Sequence, residues 1–75
     1  MEYELDTRRL LCPMPVIRTQ DRIKQLEVGD VLTVTASDPG ALNDIPTWCR
    51  INGHQVERTW EDDGEVYIRI VVGDG

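Results

Sequence analysis

Residues 65–72, Glu-Val-Tyr-Ile-Arg-Ile-Val-Val, carry an apolar side chain at every second position. Val66, Ile68, Ile70 and Val72 make one apolar face, while Tyr67 and Arg69 point the other way. This is the pattern of a strand covered on one side only. It follows Glu61-Asp62-Asp63-Gly64, in which Asp-Gly signals a hairpin turn, so residues 54–60 read as its antiparallel partner. An isolated two-stranded hairpin is marginal in water, so the rest of the chain must cover that face.

The preceding residues supply two β-α units for the purpose. Residues 2–7 alternate polar and apolar and read as a strand. Residues 31–36 are short and β-branched and read as a second, with Leu32, Val34 and Ala36 toward the core. Between them, Val16, Ile17, Ile23 and Leu26 recur at helical spacing, with Arg18, Gln20, Asp21, Arg22 and Lys24 opposite. The spacing predicts an amphipathic helix over 16–26, ended at Val28-Gly29-Asp30. Asp38-Pro39 has helix-start chemistry, and Leu42, Ile45 and Cys49 then share a face. Pro46 predicts a break or kink in this second helix, with Asp44 re-capping it. Asn52-Gly53 closes it.

The order is β-α-β-α-β-β. Strands one to three can run parallel and the last must oppose the third. The fold expected is α/β (α+β): a two-layer sandwich with both helices on one face of the sheet. The 75 residues read as one domain, 1–75, with an apolar share of 40%, enough for one core and no large enclosed pocket.

Charge narrows the function. The net charge of −6 argues against direct nucleic-acid or anionic-membrane binding. Five of the eight cations nevertheless lie in residues 1–26 (Arg8, Arg9, Arg18, Arg22, Lys24). They read as a solvated face or as a docking patch for an acidic partner. No 18-residue apolar run or apolar leader is present, and two cysteines without one suggest reduced thiols in the cytoplasm. Two Cys and one His cannot supply four zinc ligands. Glu61-Asp62-Asp63 reads as a solvated turn rather than a cation site. Trp48 and Trp60 read as core or rim packing rather than base-stacking platforms. A monomer is expected from size and charge.

Cys12-Pro13-Met14-Pro15 is the most chemically informative tetrapeptide. Cys12 falls at the expected N-cap of the first helix with Pro13 as its first residue, and the two prolines stiffen the backbone leaving the cysteine. The Met14 N–H is expected within reach of the sulfur. A sulfur there feels the positive end of the helix dipole, and Arg8 and Arg9 upstream add to that field, favouring the thiolate. Cys49, on the apolar helix face, reads as a buried core thiol. His54 follows Asn52-Gly53 and reads as a surface-loop residue rather than a base for Cys12.

With Leu5-Asp6, Leu10, Cys12-Pro13-Met14-Pro15-Val16, Gly29-Asp30, Asp38-Pro39, Asp44-Ile45-Pro46 and Cys49, the chain resembles the TusA-like (SirA-like) family of sulfur carriers over nearly its whole length. The resemblance implies a four-stranded mixed sheet. It also implies that Cys12 carries sulfane sulfur as a persulfide and passes it on, with no other cofactor and no metal. Such a protein acts as a sulfurtransferase-type carrier rather than a stand-alone multi-turnover enzyme. The implied donors are cysteine desulfurases or rhodaneses, and the implied acceptors DsrE-type sulfurtransferases or other relay proteins. Two positions depart from the family pattern, Arg9 where glycine is common and Leu11 where arginine is frequent; at the variable position, Met14 stands where glutamate is frequent. Two other readings stay open: a non-catalytic interaction module, and a Cys12–Cys49 thiol-disulfide switch.

Overall fold

In a computed structural model, which describes residues 1–11 and 13–73, the chain forms six elements. They are β1 (Glu2–Thr7), α1 (Met14–Ile23), β2 (Val31–Ala36), α2 (Ala41–Ile51), β3 (Gln55–Asp62) and β4 (Glu65–Val71). The sheet order is β1-β2-β4-β3, with β1 and β2 parallel and β4 antiparallel to both its neighbours. This is the expected β-α-β-α-β-β sandwich with a mixed sheet. The alternating strand 65–71 takes the central place opposite β2, where Ile68 and Ile70 lie beside Val34 and Leu32.

Period-two patterning fixes which face is covered. Leu32, Val34, Ala36, Ile68 and Ile70 are all fully buried beneath the helices. The helix α1 lies over β1 and β2, and α2 lies over β4 and β3. The hairpin turn is the tight two-residue kind: Asp63 and Gly64 have φ of 52° and 81°. Both signs match the primed turn that suits the twist of paired strands. β3 outruns its expected end by two residues and has a bulge between Val56 and Arg58.

Both helices differ from expectation in instructive ways. α1 begins at Met14, with Pro13 as N-cap, and ends at Ile23 rather than Leu26. Its exit tightens: Gln25 N–H donates to Arg22 O and Leu26 N–H to Ile23 O, both at 3.0 Å. Gly29, at φ 94°, then donates to Val72 O at 2.9 Å, bringing the chain onto the sheet. The buried line of α1 is Pro15, Thr19 and Ile23, whereas Ile17, expected in the core, is 41% exposed. Thr19 can be buried because its hydroxyl donates to Pro15 O at 2.8 Å, leaving no unpaired polar atom. α2 is continuous through Pro46, not broken. Ala41, Ile45 and Cys49 stay in phase on both sides of the proline, and their burial holds the helix together. Asp38 lies two residues before the N-cap Gly40, its carboxylate accepting the Gly40 N–H at 2.9 Å.

The open face of the sheet carries charge and aromatic rings. Arg69 bridges Glu2 at 2.9 Å and Glu57 at 3.0 Å. Trp60 stacks on Tyr67 with ring centroids 5.1 Å apart, and Arg58 lies 4.4 Å over Trp60. Trp60 thus packs on the uncovered face among its own neighbours, while Trp48 packs against the core.

Candidate functional site

The segment leading to Cys12 is held from three strands. Thr7 ends β1 with its hydroxyl donating to Thr35 O at 2.7 Å. The chain then turns, Leu10 N–H donating to Thr7 O at 3.2 Å. Arg9, third in that turn, has φ of 72°, the value glycine adopts freely and other residues at a cost. Its N–H donates to Ser37 Oγ at 2.9 Å. The glycine-preferring backbone is therefore retained although the residue is arginine.

Arg8 does not contribute a free positive charge. Its guanidinium makes a two-pronged bond to Asp6, both contacts 2.9 Å, and reaches Glu65 at 3.2 Å. Asp6 also accepts the Arg8 backbone N–H at 2.9 Å. These bonds hold the Asp6 carboxyl down to about 2 and push the Arg8 guanidinium further up. Two carboxylates thus offset the charge that the sequence offered to residue 12. Asp6, Ser37 and Glu65 are the loop anchors that local pattern did not single out. Asp6, two residues before Arg8, has the side-chain-to-backbone signature of such turns, but Ser37 and Glu65 arrive from other strands. An open groove of about 530 Å³ is lined by Asp6, Arg8, Arg9, Ser37 and Glu65.

Cys12 lies outside the described residues, so the site is defined by its flanks. Leu11 and Pro13, its chain neighbours, are both exposed, Leu11 at 77%. Pro13 makes no side-chain cap, and its carbonyl accepts the Ile17 N–H at 3.1 Å. The Met14 N–H, expected to face the sulfur, donates to Leu11 O at 2.8 Å instead. Leu11, Met14 and Ile17 are exposed apolar residues, and Pro15 is buried.

The five candidate docking cations do not make one patch. Arg8 is paired as described. Arg22 lies 5.2 Å over the Tyr3 ring and donates to Gln25 Oε1 at 3.0 Å. Lys24 sits at the far end of α1, as its C-cap. Arg9 and Arg18 are exposed and, among the described residues, form no ion pair.

The other two candidate groups belong elsewhere. Cys49 is fully buried, and burial pushes its thiol up to about 12. A thiol with that pKa and no solvent access is a poor partner for disulfide exchange. His54 stacks on Trp48 at 5.2 Å, and its Nδ1 accepts the Gly73 N–H at 2.9 Å. Its imidazole is a structural acceptor at the end of the sheet. Among the described residues, no group of three or more His, Cys, Asp or Glu could hold a metal ion, and no helix is long and apolar enough to cross a membrane.

Comparison with known proteins gives one consistent answer. The family described as Sulfurtransferase TusA matches residues 3–72. YrkI of Bacillus subtilis (strain 168) is 45% identical over 60 residues, covering 79% of this chain and 80% of YrkI. The sulfur carrier protein TusA of Allochromatium vinosum is 30% identical over 69 residues, covering 92% of this chain and 91% of that protein. The solved SirA-like protein from Desulfitobacterium hafniense has a TM-score of 0.84 at 27% identity, covering 96% of this chain and 99% of that one. Since the family match spans nearly every element of the sandwich and the loop before Cys12, this chain belongs to the TusA family of sulfur carrier proteins.

Proposed function

We propose that Cys12 carries sulfane sulfur as a persulfide and delivers it to an acceptor cysteine. The family match over 3–72, which includes Cys12, carries this reading. The exposure of Leu11, Pro13 and Met14 on either side of residue 12 supports it, because a carrier must present its sulfur to another protein.

In loading, the Cys12 thiolate attacks the outer sulfur of a donor persulfide. The donor's S–S bond breaks, the donor leaves as a thiolate, and Cys12 holds the sulfur as R–S–SH. In delivery, an acceptor thiolate attacks that outer sulfur, and Cys12 leaves as the thiolate it began as. Each step exchanges one S–S bond for another, so neither an external oxidant nor a further cofactor is required. The thiolate is favoured by the N-terminal end of α1 and by Arg9, with Arg8 already committed to Asp6 and Glu65. A cysteine desulfurase or rhodanese suits the donor role, a DsrE-type or other relay protein the acceptor role. The chemistry needs Cys12 to stay a thiolate between transfers, which fits a reducing compartment such as the cytoplasm.

The test is intact-protein mass after exposure to polysulfide, on wild type, Cys12→Ser and Cys49→Ser. Added sulfur masses on wild type and Cys49→Ser, reversed by reductant and absent from Cys12→Ser, are expected. An equal adduct on Cys12→Ser would overturn the assignment.

A further inference from the structure

A second candidate site lies where the C-terminal ends of α1 and α2 meet the end of the sheet. There the structure has a half-open hollow of about 340 Å³. Ten helical residues of α1, ~15 Å at the usual rise, separate its end from the helix start that follows Cys12.

The hollow has an apolar wall and a one-sided polar complement. Leu26 is half-buried, Val28 is 65% exposed, and the half-buried Trp48 ring stacks on His54 at 5.2 Å. The Trp48 and His54 rings stack 25° from parallel, so His54 covers one face of the indole. Because His54 Nδ1 accepts the Gly73 N–H, the neutral ring carries its own proton on Nε2, as a donor. A Cβ at Gly73 would collide with the Gly53 carbonyl oxygen, so this strand end is packed tightly against the turn that carries His54.

Charge then selects the ligand. Lys24 is the only charged side chain lining the hollow among the described residues, in a chain of net charge −6. It makes no ion pair among them. Two carbonyls at the end of α2 are already occupied: Trp48 O accepts Asn52 N–H at 3.0 Å and Asn52 Nδ2 at 2.9 Å, and Cys49 O accepts His54 N–H at 2.8 Å. Helix-end carbonyls that would repel an anion are thereby partly satisfied, while Lys24 and the Gln20 amide offer donors.

We propose that this hollow binds a small monocarboxylate with a flat apolar body. The body lies against Trp48 and Val28, and the carboxylate meets the Lys24 ammonium. The size is at the lower end of that of small-molecule sites, and polar and apolar groups share the lining. The site is independent of the sulfur chemistry at Cys12.

The experiment is an amide and indole NMR titration of the full chain with phenylacetate, phenylacetamide and acetate. Phenylacetate should give saturable shifts at the Trp48 indole N–H and the Val28 and Gly73 amides. Phenylacetamide should bind at least about threefold more weakly, as should phenylacetate to Lys24→Gln, in line with one exposed charge contact. Acetate alone should leave the indole unmoved. No saturable shift at these resonances, or shifts confined to the start of α1, would overturn the site. Equal binding of acid and amide would overturn the carboxylate as its ligand. Lys24 is exposed and makes no ion pair among the described residues, so Lys24→Gln keeps the fold, which the unchanged spectrum of the free variant verifies.

Discussion

Arg9 holds a left-handed backbone, φ 72°, while its N–H donates to Ser37 Oγ at 2.9 Å. The bond ties the turn after β1 to the residue that follows β2, and the strain is borne next to the proposed sulfur site. An L-residue in this region costs about 1–2 kcal/mol, partly offset by the greater unfolded-state freedom of glycine. Arg9→Gly is therefore expected to raise stability by about 0.5 kcal/mol, and Arg9→Val to lower it by at least about 1 kcal/mol. In a domain of this size 1 kcal/mol moves Tm by roughly 4–8 °C, so thermal melts of the two variants check the order. A melt in which valine equals glycine would show that the turn relaxes freely.

The hairpin turn makes a parallel demand. Asp63 and Gly64 both have positive φ, at 52° and 81°. Space is not the constraint at Gly64, since a Cβ there would meet nothing within 4 Å. The cost of Gly64→Ala is conformational alone, about 1 kcal/mol, and Asp63→Asn should be nearly neutral. Urea unfolding with an unchanged m-value would measure both.

Cys49 should behave as a core methyl-sized group rather than a thiol. With the thiol pushed up to about 12 and no exposure, native protein should show one fast-reacting cysteine toward Ellman's reagent, with Cys49 titrating only after denaturation. Mild oxidation should leave no internal disulfide. Two equally fast thiols, or a Cys12–Cys49 crosslink in native protein, would revive the redox-switch reading. Cys49→Ala leaves a cavity beside Ile45 and is expected to cost about 1–2 kcal/mol.

His54 gives the fold a pH dependence of definite sign. Desolvation lowers its pKa below the ordinary 6.5, and its Nδ1 is already the acceptor for Gly73 N–H. The unfolded chain therefore binds this proton more readily than the native one. The His54 contribution is complete above pH 6.5 and is lost as pH falls below it, through the lower native value. Stability measured from pH 7.5 down to 5 should fall in wild type and stay flatter in His54→Gln. A wild-type profile no steeper than the variant's would contradict the acceptor role of the imidazole.

Several features were legible in the sequence because they rest on local geometry. Alternation with a period of two put Leu32, Val34, Ala36, Ile68 and Ile70 inside, and the Asp-Gly pair set the turn. A one-residue slip would have turned every one of these side chains to water, so the pattern leaves little freedom. Asn52-Gly53 likewise marked the end of α2, where Gly53 has φ of 80°.

Other features needed the folded molecule. Hydropathy could not show that Thr19 is buried and Ile17 exposed, because the Thr19 hydroxyl is satisfied by Pro15 O one turn back. Nor could it show Pro46 inside an unbroken helix, since the packing of Ile45 and Cys49 outweighs one missing backbone bond. The electrostatics at the proposed sulfur site shifted most. The sequence places Arg8 and Arg9 side by side ahead of Cys12 as equals. Pairing of distant strands brings Glu65 to Arg8 and Ser37 to Arg9, separations of 57 and 28 residues. One cation is thereby neutralised and the other left exposed. Residue order determined the fold and marked the segment that holds the proposed carrier cysteine. Which charges stay free around it was decided by long-range contacts, because an ion pair depends on distance in space and not along the chain.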